Sequence, residues 1–113
     1  MKIVFTAKGS SWDSLVDPRF GRMDMLVTYD EENNLLEAQA NDETETMEHG
    51  AGLQTAKKVL KLNPDVIITG NGAGGKALDI LKTSDVKIFI GAGDMTLKDA
   101  YDAFKNSQLE EQK

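Results

Sequence analysis

The sequence contains no cysteine, a single histidine and only two arginines among its 113 residues. Without cysteine the chain can form neither a disulfide framework nor a thiolate metal site, and this composition fits a reducing compartment. It also lacks an apolar run of membrane-spanning length, and its N-terminus enters a short apolar segment without the cleavage site of a signal peptide. We therefore expect a cytoplasmic protein that does not associate with a membrane.

The chain also lacks a concentrated positive charge. Its formal net charge is -6, with 13 basic and 19 acidic residues, and it contains no Lys/Arg-rich run. A nucleic-acid-binding domain needs a local basic surface, so nucleic acid is not an expected partner. The length is enough for one hydrophobic core but too short for a catalytic domain with a separate substrate domain. We predict a single domain over residues 1–106, followed by a frayed polar tail at 107–113.

Three predicted strands are followed by alternating helices and strands. The segment KIVFTA (2–7) is typical of a buried strand, and MDMLVTYD (23–30) and NNLLEAQA (33–40) are separated by acids and asparagines that favour a hairpin. From Gly50 onward the apolar positions follow helical spacing, and two further strand-helix pairs complete the order βββαβαβα. This pattern predicts a three-layer α/β domain.

Strand direction predicts where the connecting loops lie. Two successive antiparallel pairings make the third strand parallel to the first, and right-handed crossovers make the fourth and fifth strands parallel as well, so the loops after these strands meet at one end of the sheet. These loops cover residues 8–22, 41–50, 70–76 and 91–95. Because ligands of open α/β sheets bind at the carboxyl ends of the strands, this end is the candidate site.

Both arginines lie in the segment VDPRFGR (16–22), where a turn is predicted to begin at Asp17 and Gly21 is suited to a positive φ. The planar guanidinium groups of Arg19 and Arg22 can hold a carboxylate or a polyanion. Two interpretations fit the sequence equally well: ion pairs with nearby aspartates, or contacts with an anionic ligand. The two arginines can also divide these roles between them.

The only histidine, His49, stands before a glycine-rich helix start that includes Gly50 and Gly52. Glycine lets a ligand approach the backbone closely, and the first turn of a helix favours an anion. A neutral imidazole could add a bond to a metal, although the spacing alone favours an ordinary exposed loop or capping histidine. His49 is therefore both a candidate ligand contact and the single candidate metal ligand.

The stretch GNGAGGKA (70–77) fits two nucleotide-binding patterns incompletely. Its GxGxxG pattern comes after a later strand than in dinucleotide folds, and its Walker A pattern has Ala77 in place of the Ser or Thr that binds Mg²⁺. A glycine-rich loop that contacts an anion and a simple strand-to-helix turn both stay open. The candidate contacts in this loop and the next are Gly70, Asn71, Gly72, Gly74, Gly91 and Gly93.

From residue 2 to about 104, the sequence resembles the dinitrogenase iron-molybdenum cofactor biosynthesis family, which includes NifX, NafY, the C-terminal region of NifB and the orange proteins. The resemblance rests on the motifs DPRFGR and HGAG and on two later glycine-rich turns, GNGAGG and GAG, in this order. It implies a ribonuclease-H-like motif, with a mixed five-stranded sheet of order 32145 and an antiparallel second strand.

The same resemblance implies non-enzymatic, non-covalent binding or transfer of an anionic metal-sulfur cluster, such as iron-molybdenum cofactor, a precursor or a molybdenum-copper sulfide. Nitrogenase or Fe-S assembly proteins would then be partners, in nitrogen fixation or another metal-sulfur pathway. A histidine before the first helix is tied to cluster binding in some members, and His49 is the matching position here. The cysteines that some relatives use are absent. No arrangement of catalytic carboxylates or of Ser, His and Asp is evident, which agrees with a protein that is not an enzyme.

Two other functions stay open from the sequence. One is nucleotide binding or phosphoryl transfer through the 70–77 loop, and the other is a cofactor-free interaction module that uses the same end of the sheet. Elemental analysis of the native protein for Mo, Fe and Cu would separate a cluster carrier from both.

Overall fold

The computed structural model describes residues 1–41 and 51–112, except for the side chain of residue 51. The predicted helices and strands are all present, most of them slightly shorter than expected, and one strand is additional. Among the described residues, no helix is both long and apolar enough to cross a membrane. In chain order the elements are β1 (Lys2–Ala7), β2 (Met25–Asp30), β3 (Leu35–Ala40), α1 (Ala51–Lys61), β4 (Val66–Ile68), α2 (Gly75–Leu81), β5 (Lys87–Ile90), α3 (Leu97–Lys105) and β6 (Glu110–Gln112).

The strands form one mixed sheet in the order β3-β2-β1-β4-β5-β6. Strand β2 is antiparallel to both of its neighbours, whereas β1, β4 and β5 run parallel. The predicted order of the first five strands and the antiparallel direction of β2 are therefore correct. The prediction of a five-stranded sheet is wrong, because β6 pairs with β5 in antiparallel register, with Gln112 opposite Ile88.

Strand β6 forms because the chain reverses directly after α3. Ser107 has a φ of 59°, and the backbone N–H of Gln108 donates to the carbonyl oxygen of Ala103 at 2.8 Å, which closes the end of the helix. Leu109 then packs against the core on the α3 side of the sheet. Part of the segment that was expected to fray is thus paired, and its polar sequence gives no periodic pattern from which to predict this.

Two hydrophobic cores lie on opposite faces of the sheet. Successive residues of a strand point to opposite faces, and β1 shows this clearly. Ile3 and Phe5 pack in one core with Leu97 of α3, whereas Val4 packs in the other with Val59 of α1 and with residues of α2. Helices therefore cover both faces, which gives the predicted three-layer α/β arrangement.

Three loops extend from the carboxyl ends of the parallel strands and lie at the same end of the sheet. They are the arginine loop (8–22) after β1, the glycine-rich loop (69–74) after β4 and the β5–α3 loop (91–96) after β5. Backbone hydrogen bonds join these loops to one another. Their predicted convergence is therefore confirmed, whereas residues 42–50 of the fourth predicted loop lie outside the described residues.

Candidate functional site

The three loops meet at a backbone contact between Pro18, Gly70 and Gly93. A Cβ atom on Gly70 would lie 2.5 Å from the Cα of Pro18 and 3.2 Å from the Cα of Gly93, so a side chain does not fit there. The N–H of Asn71 donates to the carbonyl oxygen of Pro18 at 2.8 Å, and the N–H of Gly91 donates to that of Gly70 at 3.0 Å. The glycine-rich loop is thus held between the other two loops.

Arg19 forms a bidentate ion pair with Asp17. The Arg19 backbone N–H and Nε each donate to Oδ1 at 3.0 Å, and Nη2 donates to Oδ2 at 2.9 Å. The Asp17 side chain is fully buried, whereas that of Arg19 is 54% exposed. Burial raises the pKa of the Asp17 carboxyl, but the hydrogen bonds from Arg19 outweigh this effect and the pKa lies below its ordinary value. Of the two interpretations of Arg19, the ion pair is the one that the structure contains.

This pair leaves part of the Arg19 guanidinium group unused. A guanidinium group carries five N–H donors, and Asp17 engages one on Nε and one on Nη2. Within the described part of the chain, the other donors have no hydrogen-bond partner. Arg22 is also exposed, three residues further along the same loop. The loop can therefore offer guanidinium donors to an anion while Asp17 holds Arg19 in place.

Buried hydrogen bonds fix the arginine loop at Asp17. The N–H of Asp17 donates to the carbonyl oxygen of Thr6 at 2.8 Å, and the Thr6 hydroxyl lies 2.7 Å from both the carbonyl oxygen of Asp17 and the hydroxyl of Thr69. All three residues are fully buried. The position of Arg19 therefore depends on β1 and on the first residue of the glycine-rich loop after β4.

Asn41 holds the other end of the arginine loop. Its buried side-chain amide donates to the carbonyl oxygens of Gly21 at 3.3 Å and Met23 at 3.1 Å, and Lys58 of α1 donates to its Oδ1 at 3.1 Å. Gly21 has a φ of 109°, which confirms the predicted positive value. The sequence does not predict this role of Asn41, because a buried asparagine at a strand end has no distinguishing local pattern.

The glycine-rich loop is held on its far side by Gln112 of β6. The Gln112 side chain accepts a hydrogen bond from the N–H of Ala73 at 2.9 Å and donates one to the carbonyl oxygen of Ala73 at 2.7 Å. Gly72 has a φ of 89°, and a Cβ atom there would meet Gln112 rather than the other loops. Gly74 is the N-cap of α2, and a Cβ atom there would meet nothing within 4 Å. No feature of the sequence predicts the role of Gln112.

The remaining predicted contacts divide into those near the loops and those outside the described residues. A Cβ atom on Gly52 would lie 3.4 Å from the Cβ of Ala77 and 3.9 Å from the carbonyl oxygen of Phe20, so Gly52 lies between α2 and the arginine loop. Gly91 is exposed, with a φ of 93°. His49 and Gly50 lie outside the described residues.

Side chains that could bind a metal do not form a cluster in the described part of the chain. No group of three or more His, Cys, Asp or Glu side chains that could hold a metal ion occurs within residues 1–41 and 51–112. A cleft of about 400 Å³ lies at the opposite end of the sheet, between the loops that precede β4 and β5. It is lined by Leu60, Asn63, Pro64, Asp65, Ser84, Asp85 and Val86.

Comparison with known proteins agrees with this architecture. The family model described as dinitrogenase iron-molybdenum cofactor matches residues 1–107. The fold is similar to the apo form of the orange protein from Desulfovibrio gigas, with 32% identity, a TM-score of 0.91 and coverage of 98% of this chain and 92% of that chain. It is also similar to a putative NifB protein from Thermotoga, with 28% identity, a TM-score of 0.81 and coverage of 97% and 91%. No curated protein matches the sequence. The chain belongs to the dinitrogenase iron-molybdenum cofactor family.

Proposed function

We propose that this protein is a non-enzymatic carrier that binds an anionic metal-sulfur cluster non-covalently at the end of the sheet where the three loops meet. The main support for the proposal is the contact between Pro18, Gly70 and Gly93. Through this contact Arg19 lies beside the glycine-rich loop and the β5–α3 loop. Membership of a family defined by iron-molybdenum cofactor supports the chemical class of the ligand.

The donor groups suit such a ligand. The sulfides of an anionic cluster accept hydrogen bonds, and guanidinium and backbone N–H groups donate them without requiring a thiolate ligand. The Arg19–Asp17 pair is neutral overall, so Arg19 would contribute directed N–H donors more than net charge. We assign a second guanidinium contact to Arg22, which is exposed on the same loop.

Backbone groups of the glycine turns complete the proposed site. We place Gly70, Asn71, Gly91 and Gly93 nearest the ligand because they lie where the loops meet, and we assign the donor role to the N–H groups of Gly70 and Gly93, since those of Asn71 and Gly91 already donate to Pro18 and Gly70. In this proposal Gly52, Gly72 and Gly74 shape the surrounding backbone. His49 is retained as a metal ligand and Gly50 as a contact on the grounds of the sequence, since both lie outside the described residues.

The cargo that we propose is iron-molybdenum cofactor, a precursor of it or a related Mo/Fe or Mo/Cu sulfide. Nitrogenase or Fe-S assembly proteins would deliver or receive it, in the cytoplasm. In this role the protein breaks no covalent bond and needs no catalytic base.

The nucleotide-binding alternative is not favoured by the glycine-rich loop. Ala77, which stands where a Walker A loop needs a hydroxyl, is 5% exposed and packs in the core beneath α1 and α2. We expect ATP, NAD and FAD to leave the thermal midpoint of unfolding unchanged. A saturable stabilisation of several degrees at micromolar nucleotide would favour the alternative instead.

Titration with tetrathiomolybdate, a soluble molybdenum-sulfide dianion, tests the proposal. We expect wild type to bind it saturably and the double variant Arg19→Ala/Arg22→Ala to bind at least about tenfold more weakly. The matched control is Lys57→Ala/Lys61→Ala, which removes the same charge from exposed positions on α1. Failure of wild type to bind, or equal weakening in the control variant, would contradict a specific site at the loop end.

A further inference from the structure

The side chain of Gln112 pairs with the backbone of the glycine-rich loop much as the backbone of a neighbouring strand would. Its side-chain amide satisfies both polar groups of Ala73, with hydrogen bonds of 2.9 Å from the N–H and 2.7 Å to the carbonyl oxygen. We propose that Gln112 is a positioning residue that fixes the conformation of the glycine-rich loop without touching the ligand. Its consequence for ligand binding rests on the proposed function.

The register of β6 explains how Gln112 reaches the loop. Gln112 is paired with Ile88 of β5, and side chains of paired residues lie on the same face of a sheet. Ile88 belongs to the core beneath α1 and α2, and the glycine-rich loop passes from β4 to α2 on this face. A side chain at position 112 therefore faces the loop.

The loop and the Gln112 side chain are shaped to each other. Gly72 has a φ of 89°, and a Cβ atom on it would lie 2.6 Å from Oε1 of Gln112. Ala73 is 2% exposed, with its methyl group in the core, so its peptide group needs a partner from the protein. Both the shape and the hydrogen bonding of the loop thus depend on an amide at position 112.

The loop is consequently fixed from two sides. On the ligand side, the N–H of Asn71 donates to the carbonyl oxygen of Pro18 at 2.8 Å, and on the β6 side Gln112 holds Ala73. Loss of the second anchor would let residues 71–74 adopt other conformations, which the ligand would then have to order at a cost in affinity. Gln112 therefore acts on the site through the loop.

Two substitutions separate the hydrogen bonds from the bulk of the side chain. Gln112→Met keeps the length of the side chain and removes both hydrogen bonds. Gln112→Glu keeps an acceptor for Ala73 N–H but has no donor while it is ionised, and it regains the donor when it is protonated. Gln39→Met is the matched control, because Gln39 is exposed on the opposite edge strand β3.

Amide hydrogen exchange in the ligand-free protein gives the first readout. We expect the Ala73 amide to exchange at least about tenfold faster in Gln112→Met, while Ile67 and Ile68 in β4 keep their wild-type rates. In Gln112→Glu, the ionised carboxylate still accepts from the Ala73 N–H but cannot donate to the Ala73 carbonyl oxygen. We therefore expect an Ala73 protection factor between those of wild type and Gln112→Met at about pH 7, and a rise toward the wild-type factor at about pH 4, which a purely steric role would not produce. Unchanged Ala73 exchange in Gln112→Met would overturn the proposal.

Tetrathiomolybdate affinity gives the second readout. We expect the dissociation constant to rise about tenfold in Gln112→Met and to stay unchanged in Gln39→Met. Faster Ala73 exchange with unchanged or tighter binding would overturn the positioning role. If wild type binds no tetrathiomolybdate, the proposed function fails, and Ala73 exchange alone decides whether Gln112 fixes the loop.

Discussion

At the scale of single residues, Asp17 is the group on which the arginine loop depends. Its carboxylate is buried, and Arg19 donates a hydrogen bond to each of its two oxygens. From the sequence, ion pairing and ligand binding are both open for Arg19 because the same guanidinium group serves either. Its geometry shows that the first role uses only some of the N–H donors, so the two roles are compatible.

We expect Arg19→Ala to lower the free energy of unfolding by about 1–2 kcal/mol at neutral pH, because it leaves a buried carboxylate without a partner, although solvent screens the exposed arginine. The pKa of Asp17 is depressed in the folded protein. Its stabilisation is therefore present above the unfolded pKa and is lost as the pH falls through the folded pKa.

The stability difference between wild type and Arg19→Ala should consequently shrink below about pH 4. Urea unfolding at neutral pH and at about pH 3 measures this difference. Lys57→Ala, at an exposed position on α1, should show no such change. A difference that is the same at both pH values would mean that the ion pair does not stabilise the loop.

At the scale of elements, the contact between the glycine-rich loop and the arginine loop requires Gly70. We expect Gly70→Ala to lower the free energy of unfolding by about 1–3 kcal/mol, because the added methyl group would lie 2.5 Å from a backbone atom of Pro18. Gly74→Ser, in the same loop, should cause no loss, because a Cβ atom there meets nothing within 4 Å and serine is a favourable N-cap. Thermal unfolding measures the stability of both variants. An equal loss of stability in Gly70→Ala and Gly74→Ser would contradict the contact between Gly70 and Pro18.

Helix α3 is joined to the β2–β3 turn by a polar contact beside an aromatic cluster. The Tyr101 hydroxyl donates to Glu31, which also accepts from Lys105 at 3.0 Å, and the Tyr101 ring packs against Trp12 and Tyr29. The hydrogen bond to Glu31, with burial, raises the pKa of Tyr101 to about 12.

This contact should stabilise the fold below about pH 10 and lose its effect as the pH rises through about 12, because a raised pKa means that the folded state prefers the neutral phenol. We expect Tyr101→Phe to lower the free energy of unfolding by about 1 kcal/mol at pH 8 and by much less near pH 12. Tyrosinate absorbance in a Tyr29→Phe background should show a midpoint near 12. A midpoint close to 10 would show that the hydrogen bond is not maintained.

At the scale of the whole molecule, the sequence predicts the features that local periodicity and strand handedness determine. The continuous apolar run of β1 and the helical spacing of α1 identify the layers, and parallel strands bring the arginine loop and the glycine-rich loop together. The roles of Asn41 and Gln112 could not be predicted, because each depends on a backbone group distant in sequence. Strand β6 escaped prediction for the same reason, since pairing with β5 rather than its own pattern makes it a strand.

Within the described residues, the two ends of the sheet present different groups to a small ligand. One is the loop end with Arg19 and the glycine turns, and the other is the cleft at the opposite end of the sheet, near Asp65 and Asp85. The cleft carries the carboxylates of Asp65 and Asp85, whereas the loop end carries the exposed Arg22 and the N–H donors of Arg19 that Asp17 does not engage. The hydrogen-bond donors that an anionic ligand needs therefore favour the loop end.

The location of the bound anion tests the proposed carrier role most directly. Backbone amide chemical shifts can be mapped while tetrathiomolybdate is added to the protein. We predict saturable changes concentrated in residues 16–22, 70–75 and 91–95, with small changes elsewhere in the described chain. Changes centred on the cleft around Asn63, Asp65 and Asp85, or no saturable change at all, would contradict binding at the loop end.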